Sequence, residues 1–325
     1  MTTRRLSLRI GQYLLVLLLA VGLNFALPRA MPGGPLATLG GEDVGLLGAE
    51  EREQLLAEYD LDRPLPEQFG RYLAGVATGD LGTSFVDRRP VSERLLARLP
   101  WTLLLVGSSL VLTTVLGVAV GAWAAARRER RRDTGTIIGV LAIDAAPPFW
   151  VGMLLIAGFG VQLGWLPTFG AVTPGGPGGF GDVLAHLVLP VATLTLAGFA
   201  QTALVTRSSM LSVLGSEPLF VARAKGVPRR RLIGHHALRT AALPVHTLVL
   251  LEMGWLIGGA VVVETVFSYP GVGRLLFEAV LARDFPVMQG AFLLLTVTVI
   301  AANLLADLTY PLLDPRVRHP VEVTQ

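Results

Sequence analysis

Two acidic residues lie inside long apolar runs of this sequence, where a carboxylate could bind a cation or a proton. They are Asp144, in LAIDAAPPFW, and Glu252, in VLLEMGW. A charge in the middle of a lipid bilayer costs roughly 2.5 to 3.5 kcal/mol on insertion scales, so such residues tend to face a cavity or a polar partner. Each is therefore a candidate for lining a passage and meeting an amino group, and each could equally pair with a neighbouring helix or a second subunit.

The basic residues exclude the commonest ATP site. A P-loop needs the pattern G-x-x-x-x-G-K-[ST], in which the lysine reaches the terminal phosphates. Lys225 is the only lysine of the chain, and Gly226 follows it. We therefore expect this chain to contain no P-loop. Any ATP hydrolysis that drives the protein must occur on another chain.

The adjacent histidines His235 and His236 do not predict a metal site. Neighbouring side chains on a helix point about 100° apart, and no third ligand is near them in the sequence. The chain also contains no cysteine, which excludes disulfides and thiolate metal sites. We expect no metal to be bound.

Composition places these residues in a membrane protein. The chain of 325 residues is 52% hydrophobic and 16% charged, with a mean hydropathy of +0.59, whereas soluble domains carry about 25% charged residues. Runs of about 20 apolar residues are long enough to span a bilayer as a helix. The pattern predicts an all-α polytopic membrane protein with six transmembrane helices, over 10–28, 101–126, 134–161, 184–207, 240–264 and 286–307. A cleavable signal peptide is the alternative for the first of these, but no small-x-small cleavage site follows it.

The arginine distribution predicts the orientation. Segments on the N-terminal side hold 3, 5 and 7 Arg or Lys residues in turn, whereas 162–183 holds none and 265–285 holds 2. Because cytoplasmic loops carry the excess of positive charge, we expect both termini to be cytoplasmic in a bacterial inner membrane. The predicted organisation is an N-terminus and first helix (1–28), an extracytoplasmic segment (29–100), a five-helix core (101–310) with a cytoplasmic loop at 208–239, and a cytoplasmic tail (311–325).

The extracytoplasmic segment has local patterns of its own. We predict a short helix at 50–60, an amphipathic helix at 66–77 and a turn at GDLGTSF (79–85). A solvated loop accounts for most of this segment, and contact with a delivery protein is the functional alternative. The later stretch FSYPGVGRLL (267–276) predicts a turn followed by an outer gate-like helix or a plain loop.

The cytoplasmic segment EPLFVARAKGVP (217–228) predicts a short docking helix. Pro218 suits the first turn of a helix, and Gly226 and Pro228 suit its end. A basic loop can also simply bind lipid phosphates, which accounts for the arginine triplet 229–231. The small residues from Ala222 to Gly226 are not explained by lipid and favour insertion into a groove on a partner.

Several blocks of the sequence, in the same order, resemble one protein family. They are LDRPLPEQFGRYLAGVATGDLGTSF (61–85), RSSMLSVLG (207–215), ARAKG (222–226) with HHALRTAALP (235–244), ETVFSYPGVGRLLFEAVLARDFPVMQG (264–290) and NLLADLTYPLLDPRVRH (303–319). They resemble the permease subunits of ATP-binding-cassette importers, in the dipeptide, oligopeptide and nickel branch. The wider importer signature has Glu-Ala-Ala where this chain has Phe220, Val221 and Ala222.

The resemblance implies a coupling helix seated in a cytoplasmic ATPase. By this resemblance, the residues expected to dock the ATPase are Glu217, Phe220, Ala222, Arg223, Ala224, Lys225 and Gly226. It also implies a second homologous permease, two ATPase subunits that hold ATP and Mg²⁺, and an extracellular substrate-binding protein. Lipid is a further expected partner and nucleic acid is not. Peptides are the expected substrate, with nickel chelates or other small solutes as the alternative.

Two functions of other classes remain open from the residues themselves. An ion-coupled secondary transporter could carry protons on Asp144 and Glu252, but the internal repeat of broken helices typical of that class is not evident. A receptor or scaffold could use the basic loop to dock a signalling partner, but the sequence has no sizeable cytoplasmic domain.

Overall fold

The computed structural model describes residues 3–30, 48, 62–127, 131–176 and 178–313. The helices in this part of the chain are α1 Thr3–Ala30, α2 Leu65–Thr78, α3 Val91–Ala126, α4 Arg131–Asp144, α5 Pro148–Leu155, α6 Phe180–Leu214, α7 Glu217–Ala224, α8 Leu238–Val266, α9 Val272–Leu281 and α10 Phe285–Leu313. A π-helical segment, Ile156–Gln162, extends α5. A single turn at Arg229–Arg231 and a second π-helical segment, Leu232–Ala237, precede α8. The predicted all-α class is confirmed.

The long apolar helices agree with the predicted spans in number and position. Within the described residues, five unbroken helices are long and apolar enough to cross a membrane, and one bent pair makes a sixth candidate. The helices extend beyond the predicted bounds, most clearly in α3, which begins at Val91 rather than at residue 101 and passes through Pro100. The amphipathic helix predicted at 66–77 is α2. The helix predicted at 50–60 lies outside the described residues.

The third predicted span, 134–161, is not one straight helix. It consists of Thr134–Asp144 and Pro148–Gln162, which meet at 96°. The cause is the pair Pro147–Pro148, because a residue before proline is pushed out of the helical region. Pro147 has φ −59° and ψ 136°, an extended conformation. The chain therefore turns sharply just after Asp144.

The described residues form two compact units. The first contains α1, α2, α9, the part of α3 up to Trp101 and the part of α10 up to Ile300. Its core is a cluster of aliphatic side chains from α3, α9 and α10, made up of Val91, Leu95, Val272, Leu275, Leu276, Ala279, Val287 and Ala291. The apolar face of α9 is thus buried in this core.

Polar contacts attach α1 within the first unit. The Asn24 side-chain amide donates to the Tyr72 hydroxyl at 3.0 Å and to the Gln289 carbonyl at 2.7 Å. Gln289 Nε2 donates in return to the Asn24 carbonyl at 3.0 Å. The rings of Phe25 and Phe69 pack edge to face at 5.1 Å. Burial is the main influence on the Tyr72 phenol and raises its pKa, so it stays protonated as a partner for Asn24.

The second unit contains the remaining described residues, and α6 is its most buried long helix. The helix α3 approaches α6 closely through the sequence GVAVG, in which Gly117 and Gly121 are four residues apart. A Cβ added at Gly117 would lie 2.6 Å from Thr202 Cβ, and one added at Gly121 would overlap the Ala203 carbonyl oxygen. Small residues at this spacing let membrane helices pack backbone to backbone.

Candidate functional site

The segment predicted to dock a partner forms a short, well-terminated helix, α7. Ser216 precedes it in an extended conformation, and Pro218 lies in its first turn. At the other end, the Gly226 amide donates to the Arg223 carbonyl at 3.0 Å and the Val227 amide donates to the Ala222 carbonyl at 3.2 Å. This pair of bonds is a Schellman motif, which needs a left-handed residue after the helix. Gly226 supplies it with φ +79°.

The two sides of α7 differ in their surroundings. Leu219 packs into an apolar cluster that joins the ends of α3, α6 and α8, with Ala125, Met210, Ala237 and Ala241 fully buried at its centre. On the other side, Phe220 is 74% exposed and Val221 is 49% exposed. A helix that is anchored on one side and offers large apolar side chains on the other has the form of an interaction surface. A rigid-body movement of α7 would also be transmitted to three long helices.

The other residues predicted in the coupling helix lie around these two side chains. Ala222 is half-buried, whereas Glu217, Arg223, Ala224, Lys225 and Gly226 are exposed. Ala224 and Gly226 keep the end of α7 free of bulky side chains. A Cβ added at Gly226 would meet nothing within 4 Å, so only the positive φ restricts this position.

Asp144, the first of the two candidate passage residues, is the last residue of α4, immediately before the sharp bend, and it is exposed. Its position at the broken helix was predictable from the two prolines that follow. The described structure does not bring Asp144 into contact with Glu252.

Glu252, the second candidate, lies inside the helix packing. It is 6% exposed, and its Oε1 accepts a hydrogen bond of 2.7 Å from the Thr202 hydroxyl of α6. The second oxygen, Oε2, is buried and has no hydrogen-bond partner among the described residues. Thr202 was not identified from the sequence. It is separated from Glu252 by 50 residues, and threonines are common in apolar helices, so no local signal pointed to it.

Two more buried carboxylates use hydroxyl partners. Glu264, at the end of α8, is fully buried and accepts a hydrogen bond of 2.7 Å from the Thr102 hydroxyl of α3. In the first unit, Asp284 is 2% exposed and accepts hydrogen bonds from the Ser84 hydroxyl, from the Phe85 amide at 3.1 Å and from Arg94 at 3.4 Å. These bonds tie the turn at 79–90 to the start of α10.

The same turn contains a more exposed carboxylate, Asp87. Its slight burial raises its pKa, but hydrogen bonds from Ser84 and Arg89 and the charge of Arg94 outweigh that effect. The pKa of Asp87 is therefore below its usual value, and the group is ionised at neutral pH. Asp87 supports the turn from the outside, whereas Asp284 holds it from within.

The structure describes only one side chain of the histidine pair. His235 is exposed, and the side chain of His236 is not among the described ones. Among the described side chains, no group of three or more His, Asp or Glu residues could hold a metal ion.

These features define a class of protein: a helical membrane protein with a broken span, polar groups inside its helix packing and a short docking helix between two spans. Comparison with known proteins gives the family. Residues 117–319 match the model of the binding-protein-dependent transport system inner membrane component. The chain belongs to this family and is a membrane-embedded permease.

Relatives match over nearly the whole chain. The dipeptide transport system permease protein DppB of Escherichia coli (strain K12) is 39% identical over 97% of this chain and 98% of its own. The glutathione transport system permease protein GsiC of Salmonella paratyphi A is 40% identical over 93% and 95%. The oligopeptide transport system permease protein AppB of Bacillus subtilis (strain 168) is 37% identical over 91% and 93%. The resemblance seen in the sequence blocks is confirmed.

A solved structure supports the fold. The inward-facing MetNI methionine ABC transporter contains a chain that matches with a TM-score of 0.57 at 16% identity, over 68% of this chain and 96% of that one. At this identity the match concerns the fold alone. It shows that a chain of a solved ABC transporter shares this fold.

Proposed function

We propose that this chain is one permease subunit of an ATP-driven importer that carries peptides delivered by an extracellular binding protein. The names of the three relatives support peptides as the substrate class, because dipeptides, oligopeptides and glutathione share an amino group, a carboxylate and amide bonds. The family description supports a binding protein as the donor. Nickel chelates and other small solutes are the alternative cargo.

One observation carries the coupling role: Phe220 and Val221 are exposed on a helix whose opposite residue, Leu219, is packed against three long helices. In this proposal the apolar pair enters a cleft of a cytoplasmic ATPase, and Glu217 and Lys225 contact its rim. Closure of the ATPase pair moves α7. The apolar cluster around Leu219 then transmits the movement to the membrane helices, which switch between inward- and outward-facing states.

The proposed assembly contains four chains besides this one. A second homologous permease completes the passage, two ATPase subunits hold ATP and Mg²⁺, and the binding protein docks from outside. This chain itself binds no cofactor and performs no bond chemistry. The excess of arginine on one side of the predicted spans supports cytoplasmic termini. The family description and the Escherichia coli relative support a bacterial inner-membrane location.

We propose that Asp144 and Glu252 line the passage for the substrate. Asp144 is exposed beside the 96° bend, a position suited to contact with a substrate. Glu252 has one carboxylate oxygen without a partner among the described residues, and that oxygen is available to an amino group or a proton if the helices separate during transport. Uptake of cationic and neutral peptides by Asp144→Asn and Glu252→Gln variants tests the idea. If the variants show the same peptide preference as the unaltered protein, both residues have a structural role and do not line the passage.

The function as a whole is tested by purifying the tagged chain from mild detergent together with its neighbours. We expect a second permease and P-loop ATPases to co-purify, with ATP hydrolysis stimulated by the binding protein and a peptide. Recovery of the chain alone, with peptide uptake driven by a proton gradient in liposomes, would instead establish the ion-coupled alternative.

The coupling helix is tested by Phe220→Asp in the same preparation. A charge at this exposed position should leave expression unchanged but release the ATPases and remove peptide-stimulated hydrolysis, because an apolar contact is replaced by a desolvated carboxylate. Phe180→Asp is the matched control, since Phe180 is 79% exposed at the opposite end of α6. Retention of the ATPases by both variants would refute docking through Phe220.

A further inference from the structure

A cavity of about 390 Å³ lies on the inner side of the coupling helix, between α7 and the ends of α3 and α6. Its volume falls in the roughly 300–1,000 Å³ range of small-molecule sites. Most of the residues that line it are aliphatic, including Leu211, Leu214, Leu219, Val227, Leu232 and Ile233, while the polar and apolar parts of its surface are about equal in area. The aliphatic part is therefore suited to an apolar group, and the cavity is on the side of α7 that faces away from Phe220 and Val221.

The charged side chains of the lining are both cationic. Among the described residues, Arg223 and Arg229 line the cavity and no acidic residue does so. Arg229 Nη2 donates to the Ala126 carbonyl at the end of α3, at 2.6 Å, which holds one face of its guanidinium in place. The Arg223 guanidinium makes no hydrogen bond or ion pair with the described residues. Two guanidinium groups beside an apolar cavity, without a counter-ion among the described residues, complement an anion that has an apolar body.

The neighbouring residues place the cavity at the level of lipid headgroups. Trp123 is 42% exposed, and the Arg127 guanidinium lies over its ring at 4.1 Å. Tryptophan and arginine at the end of a membrane helix are typical of the interface between hydrocarbon and water. Ala125 and Ala126, which line the cavity, are between these two anchors. A lipid of the same leaflet can therefore enter without leaving the interface.

We infer that this cavity binds one anionic phospholipid, whose phosphate contacts Arg223 and Arg229 and whose glycerol and upper acyl region contacts the aliphatic lining. Basic pockets between membrane helices on the cytoplasmic side are known to accept anionic headgroups, and the assignment to that leaflet rests on the orientation proposed above. The bound lipid would bridge the coupling helix to the ends of α3 and α6. Arg223 would thus act on the inner face of α7, while Phe220 and Val221 act on its outer face.

The test measures lipid retained by the purified, detergent-solubilised transporter complex, using native mass spectrometry after addition of phosphatidylglycerol or of phosphatidylcholine with the same acyl chains. The wild-type complex should retain one phosphatidylglycerol and no phosphatidylcholine. The double variant Arg223→Gln/Arg229→Gln should retain about tenfold less phosphatidylglycerol. Its control, Arg230→Gln/Arg231→Gln, removes the same charge from adjacent exposed residues outside the cavity lining and should retain the lipid.

A second variant tests whether the lipid needs the volume of the cavity as well as its arginine charges. Val227→Trp fills the cavity and leaves every arginine in place, so it should also lose the lipid. Equal losses from the two arginine double variants would mean general attraction to surface charge and would overturn the site. Equal retention of phosphatidylcholine, displacement by millimolar inorganic phosphate alone, or crosslinking of an ATPase segment into the cavity from position 227 would overturn it as well.

Discussion

The hydroxyl of Thr202 donates a 2.7 Å hydrogen bond to Glu252 Oε1 and thereby joins α6 to α8 inside an apolar region. Both side chains are buried. A buried carboxyl group is costly unless it is hydrogen-bonded. Thr202 therefore provides the contact that allows Glu252 to remain at this position.

We expect Thr202→Val to lower the stability of the protein in detergent by about 1–3 kcal/mol, because the volume is nearly unchanged but a buried carboxyl group loses its donor. Thermal unfolding of the purified chain measures the effect. Thr195→Val is the matched control, since Thr195 is on the same helix, is 2% exposed, and has a hydroxyl without a partner among the described residues. A loss as large in Thr195→Val would show that the effect is not due to the bond with Glu252.

The close approach of α3 and α6 makes Gly121 sensitive to any side chain. Gly121→Val would place its Cβ against the Ala203 carbonyl and Thr206, so we expect a loss of about 1–3 kcal/mol from overpacking and a lower yield of folded protein. Size-exclusion profiles and thermal unfolding report it. Gly107→Val, on the same helix, meets nothing within 4 Å and should behave like the unaltered protein. If both variants are equally stable, the helices do not pack as described.

The end of α7 depends on the left-handed backbone of Gly226. Gly226→Ala should cost about 1–2 kcal/mol at this position, because a Cβ clashes with the following carbonyl in that conformation. The expected result is reduced peptide-stimulated ATP hydrolysis at normal expression. Gly226→Asn should retain more activity, since asparagine tolerates φ > 0. Equal loss of activity in the two variants would mean that a partner tolerates no side chain at position 226, and that the left-handed backbone is not what matters.

Asp284 holds the turn at 79–90, and its removal should loosen that turn. Asp284→Ala would remove the acceptor of three donors, those of Ser84, Phe85 and Arg94, and we expect a loss of about 1.5–3 kcal/mol. Limited proteolysis at this turn, together with thermal unfolding, measures it. Asp87→Asn should cost less than about 1 kcal/mol, because its carboxylate is more exposed and lies 3.5 Å from Arg94. A larger loss of stability in Asp87→Asn than in Asp284→Ala would show that Asp87 is the main support of the turn.

The sequence determined the fold class and the family because both depend on patterns that are local along the chain. Runs of apolar residues require helices in a membrane, since every backbone group must be hydrogen-bonded there. Pro218, Gly226 and Pro228 set the beginning and end of α7 through their own backbone preferences. The sequence blocks that resemble the permease family, and their order along the chain, then identified that family, as the comparisons confirm.

The tertiary structure decided which residues meet. Leu219 and Phe220 are neighbours with similar apolarity, yet one packs against three helices and the other is exposed, because only the position of α7 on the bundle distinguishes them. Glu252 and Thr202 are 50 residues apart, and Asp284 and Ser84 are 200 apart. Contacts over such distances depend on how whole helices cross, which no local pattern encodes.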